Sequence, residues 1–192
     1  GAGGSFSTLD LEVDSRGNPR IAYAFVSTAD RRRRKNVYFS YSEDGGGTWR
    51  PDPGGGEDLI VVNDAATVGA DVNGRRNCAF PRLAIDDRDN VFISYVRGAT
   101  AGSGSDDILL AKVVRDADPF GMAPVGETGA AGTGGIRLAP DADRHTGVDL
   151  GVGDGDALHV VYFNDTDDRV EHKRLSTDTT WVTSGGGGWD QD

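Results

Sequence analysis

Cysteine and methionine are nearly missing from this chain, with one of each in 192 residues. Cys78 has no partner in the sequence, so no disulfide can form within the chain. Its place beside Ala79 and Phe80, at the start of an apolar run, reads as a small core residue rather than a nucleophile. Long runs of Leu, Ala, Glu and Lys are absent, which argues against a helical fold. No stretch has the length and apolarity of a membrane-spanning helix, and none resembles a signal peptide. Positive charge is scarce: 20 Lys and Arg stand against 31 Asp and Glu, for a net charge of −11. Such a surface repels phosphate backbones and argues against a nucleic-acid partner. The basic run Arg31 to Lys35 is a local exception and reads as a solvated loop between two strands, or as a docking patch for an anionic ligand.

Motifs of common chemistry are missing too. There is no Gly-x-Ser-x-Gly elbow, phosphate-binding loop or dinucleotide fingerprint. Gly129 to Gly135 is glycine-rich but lacks the Lys-Ser/Thr of a phosphate loop, so it reads as a long inter-strand loop, as does Ala99 to Ser105. His145, His159 and His172 lack a zinc-site spacing, and His159 and His172 are expected on opposite or unrelated strand faces. Oxygen-bearing side chains crowd turns at Asp86, Asp87, Asp89 and Asn90, at Asp154 and Asp156, and at Asp141 and Asp143. Oxygen clusters suit Ca²⁺, but none has the full EF-hand pattern and Asp-rich hairpin turns need no metal. No catalytic, cofactor-binding or metal-binding residue is assigned on motif grounds, and Ca²⁺ is the one ion left open.

What the chain has in abundance is glycine, 29 residues of it, spread among short apolar runs. These runs repeat. Asp14-Ser-Arg-Gly-Asn-Pro-Arg-Ile-Ala-Tyr23 aligns without a gap to Asp86-Asp-Arg-Asp-Asn-Val-Phe-Ile-Ser-Tyr95 and to Gly153-Asp-Gly-Asp-Ala-Leu-His-Val-Val-Tyr162. Leu11 and Val13 match Leu83 and Ile85, then Leu150 and Val152. Each segment reads as strand, Asp/Asn/Gly turn, strand. A third strand follows at Val37 to Tyr41, Ile108 to Val114 and Val170 to Leu175. A fourth is expected at Asp58 to Asn63 and Ile136 to Ala139, and least clearly near Trp181 to Thr183. Four antiparallel strands per repeat is the composition of a propeller blade. The expected blades span 6–64, 78–140 and 146–183 within one segment, 1–192.

The third strand of the first repeat runs into Ser42-Glu-Asp-Gly-Gly-Gly-Thr-Trp49. Asp44 can accept hydrogen bonds from N–H groups of its own turn, and Gly45, Gly46 and Gly47 can take positive φ. Trp49 can bury an apolar face on the returning strand. The third repeat holds a shorter version, Ser176-Thr-Asp-Thr-Thr-Trp181, and the second only Arg115-Asp-Ala-Asp-Pro-Phe120.

Together these features resemble the sialidase-like, Asp-box (BNR-repeat) β-propeller superfamily. The resemblance covers nearly the whole chain at the level of blades and is specific at Ser42 to Trp49 and in the repeated strand pairs. It implies that Ser42, Asp44, Gly46, Thr48 and Trp49 brace a blade edge rather than carry chemistry. Sialidases of the superfamily need three arginines, a Tyr–Glu pair and an Asp acid/base, and an Arg-Ile-Pro motif supplies the first arginine. Here Pro19-Arg20-Ile21-Ala22 breaks that order, and Arg82, on a first strand, is the better candidate. No convincing Tyr–Glu pair is visible.

Three blades do not close a propeller ring, which takes about four to eight. Two resolutions are open: a piece of a longer parent, or two copies completing a ring as a homodimer. The Ser184 to Asp192 stretch reads as a connection between blades and Gly1 to Gly4 as a linker, which favours the first. The expected function is a non-catalytic, extracellular or cell-surface module binding carbohydrate or protein through its loops, with no membrane partner. Arg31 to Lys35, Arg75, Arg76 and the Ala99 to Asp107 loop are the expected contacts. The alternative is part of a sialidase-like glycoside hydrolase.

Overall fold

A computed structural model describes residues 4–27, 34–50, 59–62, 76–98, 106–115, 122–125, 136–142, 148–154, 157–164 and 168–177. The repeated alternation of apolar and polar residues appears there as strands. In chain order they are β1 (Gly4–Val13), β2 (Pro19–Ser27), β3 (Arg34–Tyr41), β4 (Leu59–Val62), β5 (Arg76–Ile85) and β6 (Val91–Gly98). β7 (Asp106–Arg115), β8 (Met122–Val125), β9 (Ile136–Ala142), β10 (Val148–Gly153), β11 (Ala157–Asn164) and β12 (Arg169–Ser176) follow.

The strands form three antiparallel meanders. The first is β1-β2-β3-β4, the second runs β5-β6-β7, and the third is β10-β11-β12. In the second, β7 pairs with both β8 and β9. A short parallel contact, Arg34 with Arg76 and Lys35 with Asn77, ties the first two meanders together at one corner. The expected fourth strands at Asp58 to Asn63 and Ile136 to Ala139 are present as β4 and β9, while β8 was not foreseen. The segment near Trp181 to Thr183 lies outside the described residues, as do Arg31 to Arg33, Arg75, Ala99 to Ser105 and Gly129 to Gly135. The side chains of Arg34, Lys35, Arg76, Cys78 and Asp107 fall outside them as well.

The repeat found in the sequence is a repeat of register. Leu11 faces Ile21, Leu83 faces Ile93 and Leu150 faces Val160. The first two hairpin turns match bond for bond. In one, the Asp14 carboxylate accepts from the N–H groups of Arg16 (3.0 Å) and Asn18 (2.7 Å). In the other, Asp86 accepts from Arg88 (3.0 Å) and Asn90 (2.8 Å). Gly17, with φ +84°, occupies the left-handed position that Asp89, with φ +62°, takes in the second turn. Asp is among the few side chains that tolerate this conformation.

The core lies between the sheets. Ala22, Val37, Phe39 and Tyr41 of the first pack against Leu83, Val91, Ile93, Tyr95, Ala111 and Val113 of the second. Phe92, Ile108 and Leu110 of the second pack against Val148, Leu158, Val160 and Tyr162 of the third. The second sheet is thus buried on both faces, which accounts for the near-continuous apolar run Val91 to Tyr95.

Candidate functional site

The first strands of successive sheets lie side by side, with β5 in contact with both β1 and β10. The shared register puts Asp10, Arg82 and Asp149 at the same position of these three strands, opposite Ala22, Ser94 and Val161. Asp10 reaches across the sheet boundary, its Oδ2 accepting from the Leu83 N–H at 2.8 Å. Thr8 Oγ1 accepts from the Phe80 N–H at 3.3 Å. At the turn end, the Asp89 carboxylate accepts from both the N–H (3.0 Å) and the hydroxyl (3.1 Å) of Ser15. Polar stitches between the first and second sheets therefore hold Asp10 and the first turn against β5 and its turn.

Phe80 stands out on this row. It sits in a bulge of β5, between the paired residues Ala79 and Arg82, with φ +54°, and is 40% exposed. A bulky side chain in the left-handed region costs about 1–2 kcal/mol. The residue before a proline, here Pro81, prefers extended backbone instead. Strain held at an exposed aromatic two residues from an arginine makes this a candidate functional position. The sequence reading missed it: Phe-Pro-Arg looks like plain strand, and the bulge shows only in the pairing. Half-buried Arg82 sends Nη1 toward the Pro81 carbonyl at 3.4 Å, a long contact.

Arg20, the arginine of the broken Arg-Ile-Pro motif, has a different role. It is 2% exposed. Its Nη2 donates to Asp14 at 2.6 Å and to Glu43 at 3.0 Å, its Nη1 donates to the Ser42 carbonyl, and its guanidinium lies over the Tyr41 ring. Burial opposes the charged form of Asp14, but the N–H groups of Asn18 and Arg16 and the Arg20 charge outweigh it and hold its carboxyl below the usual range. A guanidinium spent on these partners braces the turn and cannot clamp a substrate carboxylate.

The brace leads into the Ser42–Trp49 hairpin. The Ser42 hydroxyl donates to Asp44 at 2.8 Å and accepts from the Gly46 N–H at 2.8 Å. Asp44 accepts from the Thr48 N–H at 2.7 Å and the Thr48 hydroxyl at 2.8 Å. These bonds, the Thr48 N–H foremost, pull the Asp44 carboxyl down to about 2. Gly45 and Gly46 take positive φ, +69° and +100°. Gly47 does not; a Cβ there would meet the Asp44 carboxylate at 3.1 Å, so this glycine allows close approach. The hairpin closes with a bridge between Tyr41 and Arg50 and docks on the first turn, where Asn18 Oδ1 accepts from the Gly45 N–H.

The structure corrects the reading of the histidines. His159 and His172 do not point to unrelated faces: their rings stack at 5.1 Å, with Nδ1 of His159 2.8 Å from Nε2 of His172. Antiparallel pairing of β11 with β12 brings positions thirteen residues apart onto one face. Among the described residues no group of three or more His, Cys, Asp or Glu could hold a metal ion. The Asp14 and Asp86 carboxylates are turned onto their own turns' N–H groups. On the other face of the third sheet, Tyr162 donates to Glu171, which also accepts from Asn164 and Arg169. The Tyr162 hydroxyl foremost lowers the Glu171 carboxyl to about 2, while burial and Glu171 raise Tyr162. This is a Tyr–Glu pair that sequence alone did not show, but it lies on the third sheet and is bonded to itself.

No protein-family model matches the sequence, and no curated protein matches it. Solved structures do. A levansucrase from Bacillus subtilis superposes with TM-score 0.56 at 11% identity, over 86% of this chain and 43% of that one. A B. subtilis levansucrase variant in complex with oligosaccharides gives 0.55 at 10% identity, over 86% and 43%. A B. megaterium levansucrase variant gives 0.54 at 11%, over 86% and 42%. These are β-propeller enzymes, and at this identity the likeness shows the fold: the chain is all-β, a partial β-propeller of antiparallel blades. It spans less than half the length of the levansucrases it matches.

Proposed function

We propose that this chain is part of an extracellular or cell-surface β-propeller that binds glycan without turning it over, and that Ser42–Trp49 is an Asp-box of the sialidase-like type. Phe80 carries the reading. An exposed aromatic residue held at positive φ, two residues from Arg82 on the strand that carries the charged row, offers a flat apolar surface on a strand with polar neighbours. Such a surface suits a sugar ring, which is apolar on its face and hydroxylated at its rim. Two further features support it: the arginine nearest the sialidase motif is consumed in a buried brace, and the Asp-box residues bond one another.

A second reading draws on a specific observation. Asp10, Arg82 and Asp149 share one register position on adjoining first strands, so carboxylates and a guanidinium gather along one line. That is the raw material of a glycoside hydrolase, which uses a pair of carboxyl groups. It also fits the likeness to propeller enzymes, one of them recorded in complex with oligosaccharides.

One experiment separates the two. Calorimetric titration with neutral and sialylated oligosaccharides is run beside a fluorogenic sialoside and sucrose as turnover substrates. Recognition predicts saturable binding that weakens roughly tenfold, about 1.4 kcal/mol, in Phe80→Ala with an unchanged melt, and no turnover. Turnover abolished by Asp10→Asn would replace recognition with hydrolysis. No binding by the wild-type chain to any of these sugars would sink the glycan reading.

A further inference from the structure

The third sheet carries a histidine pair that the glycan reading does not use, and it supports an inference independent of any ligand. His159 of β11 and His172 of β12 lie on one face, His159 opposite Arg174 and His172 opposite Val161. Their ring planes are within 9° of parallel and meet nitrogen to nitrogen, Nδ1 of His159 standing 2.8 Å from Nε2 of His172. So short a contact between ring nitrogens is a hydrogen bond: one carries a proton and the other offers a lone pair. The seat beneath the pair suits it. A Cβ on Gly153 of β10 would come within 2.9 Å of Nε2 and 3.1 Å of Cδ2 of His159. Gly153 is not at positive φ, so its backbone does not call for glycine; the ring lying over it does.

Protonation decides whether this bond exists. With both rings neutral, the N–H of one donates to the lone pair of the other. With one ring charged, the imidazolium donates and the bond strengthens. With both charged, every ring nitrogen carries a proton, so two N–H groups confront each other and no acceptor is left. Among the described residues, the charged side chains that share this face are Arg174 on β12, beside His159, and Asp149 on β10, in the row of Val161 and His172. Asp154 stands in the turn after Gly153, while Arg169, Glu171 and Lys173 take the opposite face of β12. Asp149 is engaged with its own strand, Oδ1 accepting from the Leu150 N–H at 3.0 Å. Arg174 would make a doubly charged pair a cluster of three cations.

We infer that the His159–His172 pair is a pH-sensitive clasp that fastens β12 to the third sheet. It is closed while the pair holds at most one proton and open once it holds two. Histidine is the side chain that ordinarily changes charge between pH 5 and 8, so mild acid is what opens it. The strand it fastens pairs with β11 alone among the described strands, in the order β10-β11-β12. β12 also leads directly into Thr177, whose carbonyl accepts from Lys112 of the second sheet at 2.8 Å. Opening the clasp therefore loosens an edge strand at the point where it ties back to its neighbour.

The test is a double-mutant cycle on the whole chain: wild type, His159→Gln, His172→Gln and both, read as melting temperature at pH 8 and pH 5. The coupling between the two histidines should be favourable at pH 8 and unfavourable at pH 5, a swing of about 2–4 °C. His145 is present in all four proteins, so its contribution cancels. The same cycle in a Gly153→Ala background keeps both histidines but displaces the His159 ring, and should show no swing. Amide exchange on the wild type needs no variant. Corrected for intrinsic rates, β12 should exchange faster relative to β6 at pH 5 than at pH 8. A coupling of one sign at both pH values, or none at either, overturns the clasp. So does a swing that survives Gly153→Ala, or β12 exchange that does not change relative to β6.

Discussion

Arg20 holds its guanidinium between the Asp14 and Glu43 carboxylates and the Ser42 carbonyl, and almost none of it reaches solvent. Removing one partner of a buried pair leaves the other charge uncompensated, which costs far more than the pair itself contributes. Arg20→Ala should therefore lower unfolding stability by about 3–5 kcal/mol, read from urea denaturation. A loss under about 1 kcal/mol would mean water reaches Asp14 and the brace is dispensable. Asp44 makes a prediction about pH. Its folded carboxyl titrates near 2 against an ordinary 3.8. A depressed carboxyl contributes stability that is present above its unfolded pKa and lost as pH falls through the folded one. The melting-temperature gap between wild type and Asp44→Asn should hold from neutral pH to about 4 and close between about 4 and 2. A gap that stays constant down to pH 2 would show that the Asp44 charge plays no part in the hairpin.

At the scale of elements, the three strand pairs share one register and the first two turns share their bonds, and one departure from that equivalence has a stability cost. Ser94 is one. Its hydroxyl is fully buried with no hydrogen-bond partner, at the register position held by Ala22 in the first sheet. An unsatisfied buried hydroxyl carries a desolvation penalty that its removal relieves. Ser94→Ala should stabilise the chain by about 1 kcal/mol, measured by denaturant midpoint at constant m-value. Destabilisation instead would indicate an ordered water on the hydroxyl. The elements were largely legible in the sequence: the three strand pairs, the third strands, β4 and β9 all follow from alternation and turn chemistry. β8 was not, because Met122–Val125 shows no alternation and is a strand only by pairing with β7.

For the whole molecule, the stack has a direction. Each sheet packs its second and third strands against the next sheet's first strand, and polar stitches from Asp10 to Leu83 and from Ser15 to Asp89 tie the first sheet to the second. Lys112 continues the pattern, donating to the Thr177 carbonyl of the third sheet at 2.8 Å. A directional stack has two unlike ends, and both ends here expose the apolar positions that the interior covers. The row Asp10, Arg82 and Asp149 and the strained Phe80 lie along the line where first strands meet.

The sequence by itself determined the strands, the turns and their repetition, because alternation with period two, Asp–Asn–Gly turns and the Ser42–Trp49 hairpin are settled by neighbours a few residues apart. It also showed that the Arg20 motif departs from the sialidase order. Only the tertiary structure decided what those residues do. Arg20 is a brace because Ser42 and Glu43 close over it from more than twenty residues away. His159 and His172 stack because of strand register. Phe80 takes a positive φ and stays exposed where a bulge in β5 breaks the pairing. Each outcome depends on which side of a strand meets which neighbour, and that is fixed by packing between distant segments, where a one-residue slip reverses every face.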